Sequence, residues 1–170
     1  AEDAFAVVRR RGIYMQEAVP TGGAMAAVLG LDSKTIEKVC CETKGTVSIA
    51  NYNCPGQTVI TGERDAVHRA GESLKEAGAK RVIGLNVSGP FHSPMLAGAG
   101  ERLAKDLSKV QFMDLQIPYV ANLTAEFVQD TELVKGYLEK QVSSSVLWQQ
   151  SVEKMIAEGV EMFVEMGPGR

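Results

Sequence analysis

The 170-residue sequence predicts an α/β fold in which a small mixed unit sits between two stretches of an α/β layer. Between residues 23 and 87 the apolar pattern switches between strand and helix in the order β, α, β, β, α, β. Beyond residue 88, helical patterns alternate with short strand-like runs, as in a layered α/β protein with a parallel sheet. Glycine makes up 17 of the 170 residues, above the usual ~7%, which suits tight turns between short elements.

The first element is an amphipathic helix. Phe5, Val8, Gly12, Met15 and Val19 recur at helical spacing, Arg9, Arg10 and Arg11 fall on another face, and Pro20 with Gly22 and Gly23 ends it. Residues 23–31 form a strand of small apolar side chains. Asp32 or Ser33 caps the next helix, which gathers Ile36, Val39 and Cys40 on one face. A strand over 46–53 returns as 58–61 across the turn Cys54-Pro55-Gly56-Gln57, where proline fixes φ and glycine accepts φ > 0. A helix over 63–77 turns Val67, Ala70 and Leu74 inward, stops at Gly78, and leads to a last strand over 81–87. This order is that of the ferredoxin-like split βαβ unit.

After it, the residues from Ser88 to Pro94 form a loop, and the next helix aligns Leu96, Ala99, Leu103 and Leu107. A strand over 117–122, helices over 132–142 and 146–158, and a strand over 160–165 follow. The expected division is 1–22 with 88–170 as one domain and 23–87 as the inserted unit. Both ends read as cut: the chain opens without Met inside a helix and closes on a strand and a glycine turn, like an excerpt of a larger domain.

Composition excludes several functions. A net charge of −3 offers no general attraction to nucleic acid. No apolar run nears the roughly 18 residues of a membrane span, and no signal peptide is recognisable, so a cytoplasmic location is expected. Cys40, Cys41 and Cys54 are odd in number and lack a C-x-x-C pair, so neither a disulfide framework nor a metal site is expected.

Histidine is scarce. His68 sits mid-helix among Arg64, Asp65 and Arg69, a solvated position. His92 follows a strand in a loop stiffened by Pro90 and Pro94. Such strand-end loops are where α/β sheets bind ligands, and imidazole is the usual general base near neutral pH. A base needs a nucleophile, yet neighbouring Ser88 and Ser93 are poorly placed to face His92, and no G-x-S-x-G elbow occurs. A serine activated by His92 is therefore expected outside these residues. Arg11 precedes Gly12, which leaves room for a ligand, and an arginine can grip a carboxylate through two parallel hydrogen bonds. Gly167-Pro168-Gly169 is a turn and not a phosphate loop, since no Lys-Ser/Thr follows.

Six blocks, taken in order, carry a resemblance. They are Arg11-Gly12-x-x-Met15-Gln16-Glu17-Ala18, Gly23-Ala-Met-Ala-Ala-Val and Ala50-Asn51-x-Asn53-x-Pro55-Gly56-Gln57, then Gly78-Ala-Lys-Arg81, Val87-Ser88-x-Pro90-Phe91-His92-Ser93 and Glu165-x-Gly167-Pro168-Gly169. Across essentially the whole chain this resembles the malonyl-CoA:acyl-carrier-protein transacylase family. The resemblance implies an α/β-hydrolase-like acyltransferase domain with an inserted ferredoxin-like subdomain. It also implies a two-step transfer in fatty acid biosynthesis, from coenzyme A to a serine and then to the phosphopantetheine thiol of acyl carrier protein. A coenzyme A thioester and acyl carrier protein are the implied partners; no cofactor is implied, and a monomer is expected.

By position, His92 matches the family's general base, Arg11 the ligand of the malonyl carboxylate, and Gln141 the residue whose main-chain carbonyl orients the histidine. Asn53 is expected to support the pocket. Lys80 and Arg81 are expected to dock the acidic carrier. The family's G-H-S-x-G serine motif, its N-terminal glutamine-containing loop and its last strands and helix are not in this sequence, so the 170 residues alone are expected to be inactive. Ser143-Ser-Ser145 stands where the family usually has a proline. Two rival readings are an acyltransferase domain of a polyketide-type synthase with another acyl group, and a non-catalytic ferredoxin-like binding module. Arg11 speaks against the first, because a neutral acyl group would leave it unpaired; the second accounts for residues 23–87 only and leaves His92 without a reason.

Overall fold

The computed structural model describes residues 2–87 and 89–167. Its elements run α1 (Glu2–Ala18), β1 (Gly23–Leu29), α2 (Ser33–Glu42), β2 (Val47–Cys54), β3 (Gln57–Glu63), α3 (Arg64–Glu76), β4 (Arg81–Gly84), a 3-10 turn (Pro94–Leu96), α4 (Ala97–Leu107), β5 (Tyr119–Ala121), β6 (Glu126–Val128), α5 (Glu132–Gln141) and α6 (Trp148–Ala157). The first four strands form one sheet in the order β2-β3-β1-β4, and every neighbouring pair is antiparallel. That is the ferredoxin-like arrangement, as the element order predicts. Asp32 caps α2, with Oδ1 accepting from Thr35 N at 3.0 Å and Oδ2 from the Thr35 hydroxyl at 2.6 Å.

Period-2 alternation gives this sheet two different faces. Ala26, Val28, Ile49 and Ile60 point to one side, where they bury Ile36 and Cys40 of α2 and Val67, Ala70 and Leu74 of α3. Met25, Ala50 and Val59, each one residue away from a member of that set, point to the other side and pack with Phe91. The helices therefore occupy one face and leave the opposite face to the loop that carries His92. Cys40 lies in the helix-side core, where burial pushes its thiol up to about 12. All three cysteines are free.

A second core joins Met15 of α1 and Val19 just after it to Leu96, Ala99, Leu103 and Leu107 around α4, with Val142 after α5. A third holds Ala121, Val128 and Val134. Among the described residues no helix is long and apolar enough to cross a membrane.

Several expectations are corrected. β4 ends at Gly84 and not at Val87, because Val87 N turns back to Leu85 O at 3.0 Å and closes the chain on itself. The expected strand over 117–122 is the short β5, and it pairs antiparallel with β6, which the sequence pattern misses. No parallel sheet forms among the described residues; the parallel contact is an isolated bridge between Asn51 and Val146. That bridge also delays α6 to Trp148, since Val146 N donates to Ala50 O at 2.7 Å and its carbonyl accepts from Tyr52 N at 2.9 Å. Residues 160–165 form no strand; Val160 N instead turns back to Met155 O at 3.0 Å, at the end of α6. Ser88 and residues 168–170 lie outside the described residues.

The start of β1 meets the His92 loop at Gly23. A Cβ there would stand 2.3 Å from Pro90 Cδ, closer than real atoms approach, and Pro90 is itself buried. Gly23→Ala should therefore destabilise the protein by about 1–3 kcal/mol through overpacking. A urea titration of the wild type and the variant measures this; equal midpoints would show that the contact is slack.

Candidate active site

His92 stands at φ 55, in the left-handed region that few residues other than glycine adopt. The next residue anchors it. Ser93 is 0% exposed and its Oγ accepts from Met95 N at 3.3 Å, capping the 3-10 turn that Pro94 begins. Ser93 is thus a structural cap, turned away from any role as a nucleophile.

On the far side of the ring, His92 Nδ1 lies 3.0 Å from Gln141 O. A carbonyl only accepts, so Nδ1 carries the hydrogen and Nε2 keeps its lone pair. Gln141 is the last residue of α5, where helix carbonyls lack intrahelical partners and the macrodipole is negative. Its carbonyl is therefore a ready acceptor. Burial lowers the imidazole pKa below its ordinary value, the hydrogen bond to Gln141 opposes this, and the positive charge of Arg11 lowers it further. The ring is neutral near pH 7, as a general base requires.

Two contacts fix Gln141 in place. α5 leans closely on α4 at Gly100, where a Cβ would stand 2.9 Å from Glu139 O. The Gln141 side chain donates to Ser144 O at 3.1 Å and Ser145 O at 3.0 Å. Ser145 Oγ in turn donates to Ile49 O at 2.6 Å in β2. Ser145 thereby ties the turn after α5 to the ferredoxin-like sheet, beside the Asn51–Val146 bridge.

Arg11 comes from α1 and shares a cavity of about 460 Å³ with His92; Gly12, Met15, Asn51 and Phe91 are among its other walls. Arg11 is half-buried, and burial lowers its pKa. Its neighbour Arg10 is bound by Asp106 at 2.6 Å, whereas none of the ion pairs among the described residues involves Arg11. A half-buried cation facing a cavity without a protein carboxylate is suited to an anionic ligand.

Asn53, expected to support the pocket, is not among the residues that line the cavity. The asparagine in the cavity wall is Asn51, and Asn53 lies two residues further along β2 toward the hairpin turn. Register shifts between Ile49 and Asn51 and between Tyr52 and Cys54 disturb simple alternation in this strand. The Asn-x-Asn pattern was the available signal, but it could not choose between its two members. Lys80 and Arg81 are exposed and close in sequence to His92, yet they sit away from it. Arg81 pairs with Leu29, whereas Leu85, in the cavity wall, bonds to Met25 at the other end of β1. About 13 Å of strand lies between Arg81 and Leu85. His68 is exposed on α3.

A ferredoxin-like sheet whose free face meets a carbonyl-bound histidine and an arginine defines a mixed α/β domain with a histidine–arginine cleft. The family model described as "Acyl transferase domain" matches residues 1–169, and the chain belongs to that family. It is 44% identical over 173 residues to the malonyl CoA-acyl carrier protein transacylase of Bacillus subtilis and 44% identical over 171 residues to that of Escherichia coli, covering 99% of this chain and 55% of each relative. An acyl carrier protein S-malonyltransferase from Vibrio cholerae superposes with a TM-score of 0.95 at 45% identity, over 98% of this chain and 55% of the other. A malonyl-transacylase solved in complex with a type II PKS acyl-carrier protein gives a TM-score of 0.95 at 42% identity, with 98% and 55% coverage. The chain thus spans about half the length of the relatives it matches.

The electrostatic link between Arg11 and His92 can be measured. Arg11→Gln removes the facing positive charge and should raise the His92 pKa, read from the imidazole signals in an NMR pH titration. A pKa unchanged or lowered would show that Arg11 does not face the ring. The sign for stability follows from linkage. The folded state binds the His92 proton less readily than the unfolded state, so stability rises with pH up to about 6.5 and falls on acidification below it.

Proposed function

We propose that the chain supplies the general base and the carboxylate clamp of a malonyl-CoA:acyl-carrier-protein transacylase of fatty acid biosynthesis. The observation that carries this reading is that His92, with Nδ1 held 3.0 Å from Gln141 O, shares one cavity with the Arg11 cation. The names of the relatives support the choice of malonyl as the acyl group.

In this reading Nε2 of His92 takes the proton of a serine hydroxyl as the serine oxygen attacks the thioester carbonyl of malonyl-CoA. The carbon–sulfur bond breaks, and the departing coenzyme A thiolate receives the proton. In the second half the ring takes the proton of the carrier's phosphopantetheine thiol, sulfur attacks the seryl ester carbonyl, the seryl carbon–oxygen bond breaks, and the imidazolium returns the proton to the serine oxygen. Arg11 holds the malonyl carboxylate throughout, with Asn51 in the same wall. The serine comes from the part of the family's length that the chain does not span; Ser93, buried as a cap, does not serve. The transfer as written takes no metal or organic cofactor.

The reading places 1–22 with 88–170 in the catalytic domain and 23–87 in the inserted subdomain of a cytoplasmic monomer. Separate apolar cores around Ile60 and around Leu103 support that division. Acyl carrier protein is the partner, with Lys80 and Arg81 as its docking pair; their distance from the cavity is left for the carrier's flexible arm to span.

On a protein of the relatives' full length bearing this chain, His92→Ala should slow malonyl-serine formation by about 10²–10⁴-fold. Arg11→Ala should impair malonyl transfer more than acetyl transfer. Single-turnover labelling with the two thioesters measures both effects; wild-type labelling in the first variant, or equal losses for both acyl groups in the second, rejects the assignment. Reversing the charge of Lys80 and Arg81 to Glu should raise the carrier KM at low salt and spare loading from coenzyme A. An unchanged carrier KM would move docking elsewhere.

A further inference from the structure

The direction of Arg11 depends on how α1 is rotated about its own axis. Arg10, Tyr14 and Glu17 recur at helical spacing along α1, and Arg102 and Asp106 do so along α4, so that two stripes meet. Asp106 is only 6% exposed, and both of its oxygens are engaged. Oδ1 accepts from Arg10 Nη1 at 2.6 Å and from Lys109 Nζ at 3.4 Å, and Oδ2 accepts from the Tyr14 hydroxyl at 2.6 Å. Arg102 covers the Tyr14 ring at 4.0 Å from its centroid and pairs with Glu17 at 2.7 Å.

The apolar contacts of Met15 and Val19 hold α1 against α4, but apolar attraction is non-directional. Hydrogen bonds to a buried carboxylate are directional. Arg11 lies between Arg10 and Tyr14, and it borders two spaces: the cavity with His92, and an apolar groove of about 560 Å³ lined by Val7, Leu103, Leu107 and Phe112. Turning α1 about its axis would carry Arg11 from one toward the other.

We infer that Asp106 is a positioning residue: its two-oxygen grip on Arg10 and Tyr14 sets the rotation of α1 so that the Arg11 guanidinium faces the His92 cavity. The functional consequence rests on the reading of Arg11 as the carboxylate ligand. The geometric claim does not.

The test uses Asp106→Asn, Tyr14→Phe, Arg11→Gln and the double variant Asp106→Asn with Arg11→Gln. The His92 pKa is followed by NMR, and binding is read from a malonate titration. Asp106→Asn should raise the His92 pKa part of the way toward its value in Arg11→Gln and weaken malonate binding by roughly tenfold. It should add nothing in the Arg11→Gln background. The sign is diagnostic, because loss of the Asp106 charge acting directly on the ring would lower the His92 pKa. An unchanged or lowered pKa overturns the inference, as does the same increment in both backgrounds. If Asp106→Asn does not fold, Tyr14→Phe decides by the same criteria with a smaller shift. If Arg11→Gln itself leaves malonate binding unaltered, the carboxylate reading fails, and the pKa comparison still judges Asp106.

Discussion

The hydrogen bond between His92 Nδ1 and the carbonyl of Gln141 joins parts of the chain that are built independently. The ring arrives on a loop after β4, pinned by the Ser93 cap and by Pro90 against Gly23. The carbonyl arrives at the end of a helix, where the backbone has a free acceptor to offer. Neither side alone selects the tautomer; together they leave Nε2 as the free nitrogen. Moving α5, the 141–146 turn or the Pro90 loop would alter this contact first, which is why so much of the structure bears on it.

The ferredoxin-like sheet contributes through its two faces. One face is filled by α2 and α3 and gives the unit its core. The other supplies Met25 and Val59 to the cavity wall and Ala50 to the layer beneath. Ser145 then ties β2 to the segment after Gln141, so a hydrogen bond links the sheet to the turn that follows α5. Burial of His92 and the positive charge of Arg11 act in the same direction. Both lower the pKa of the ring, and the Gln141 carbonyl keeps it from falling further.

The βαββαβ unit was legible because its signals are local. Apolar residues repeat with the period of a strand or a helix, Asp32 caps, and Pro55-Gly56 turns. The β5–β6 hairpin was not legible, because the connection Asn122-Leu-Thr-Ala125 carries no glycine, and Ala125 itself adopts φ 56. The start of α6 was misplaced because Val146 is drawn into a bridge with β2, a partner nearly a hundred residues earlier that no local pattern reveals. The site divides in the same way. His92 was marked by its proline-flanked loop, and the resemblance to a family pointed to Arg11 and Gln141. Asn53 was named and Asn51 was not, and the bulged register of β2 brings Asn51 to the cavity wall.

The sequence by itself determined the order of the elements from α1 to α4, the side each turns inward, and the presence of a loop histidine and of an arginine beside a glycine. These follow from periodicity and side-chain chemistry, which act over a few residues. The tertiary structure decided that Arg10 turns to Asp106, that Asn51 and not Asn53 reaches the cavity, and that Lys80 and Arg81 lie at the far end of β4. Such outcomes depend on helix rotation and strand register. A shift of one residue in either turns a side chain to another face while leaving the local pattern unchanged.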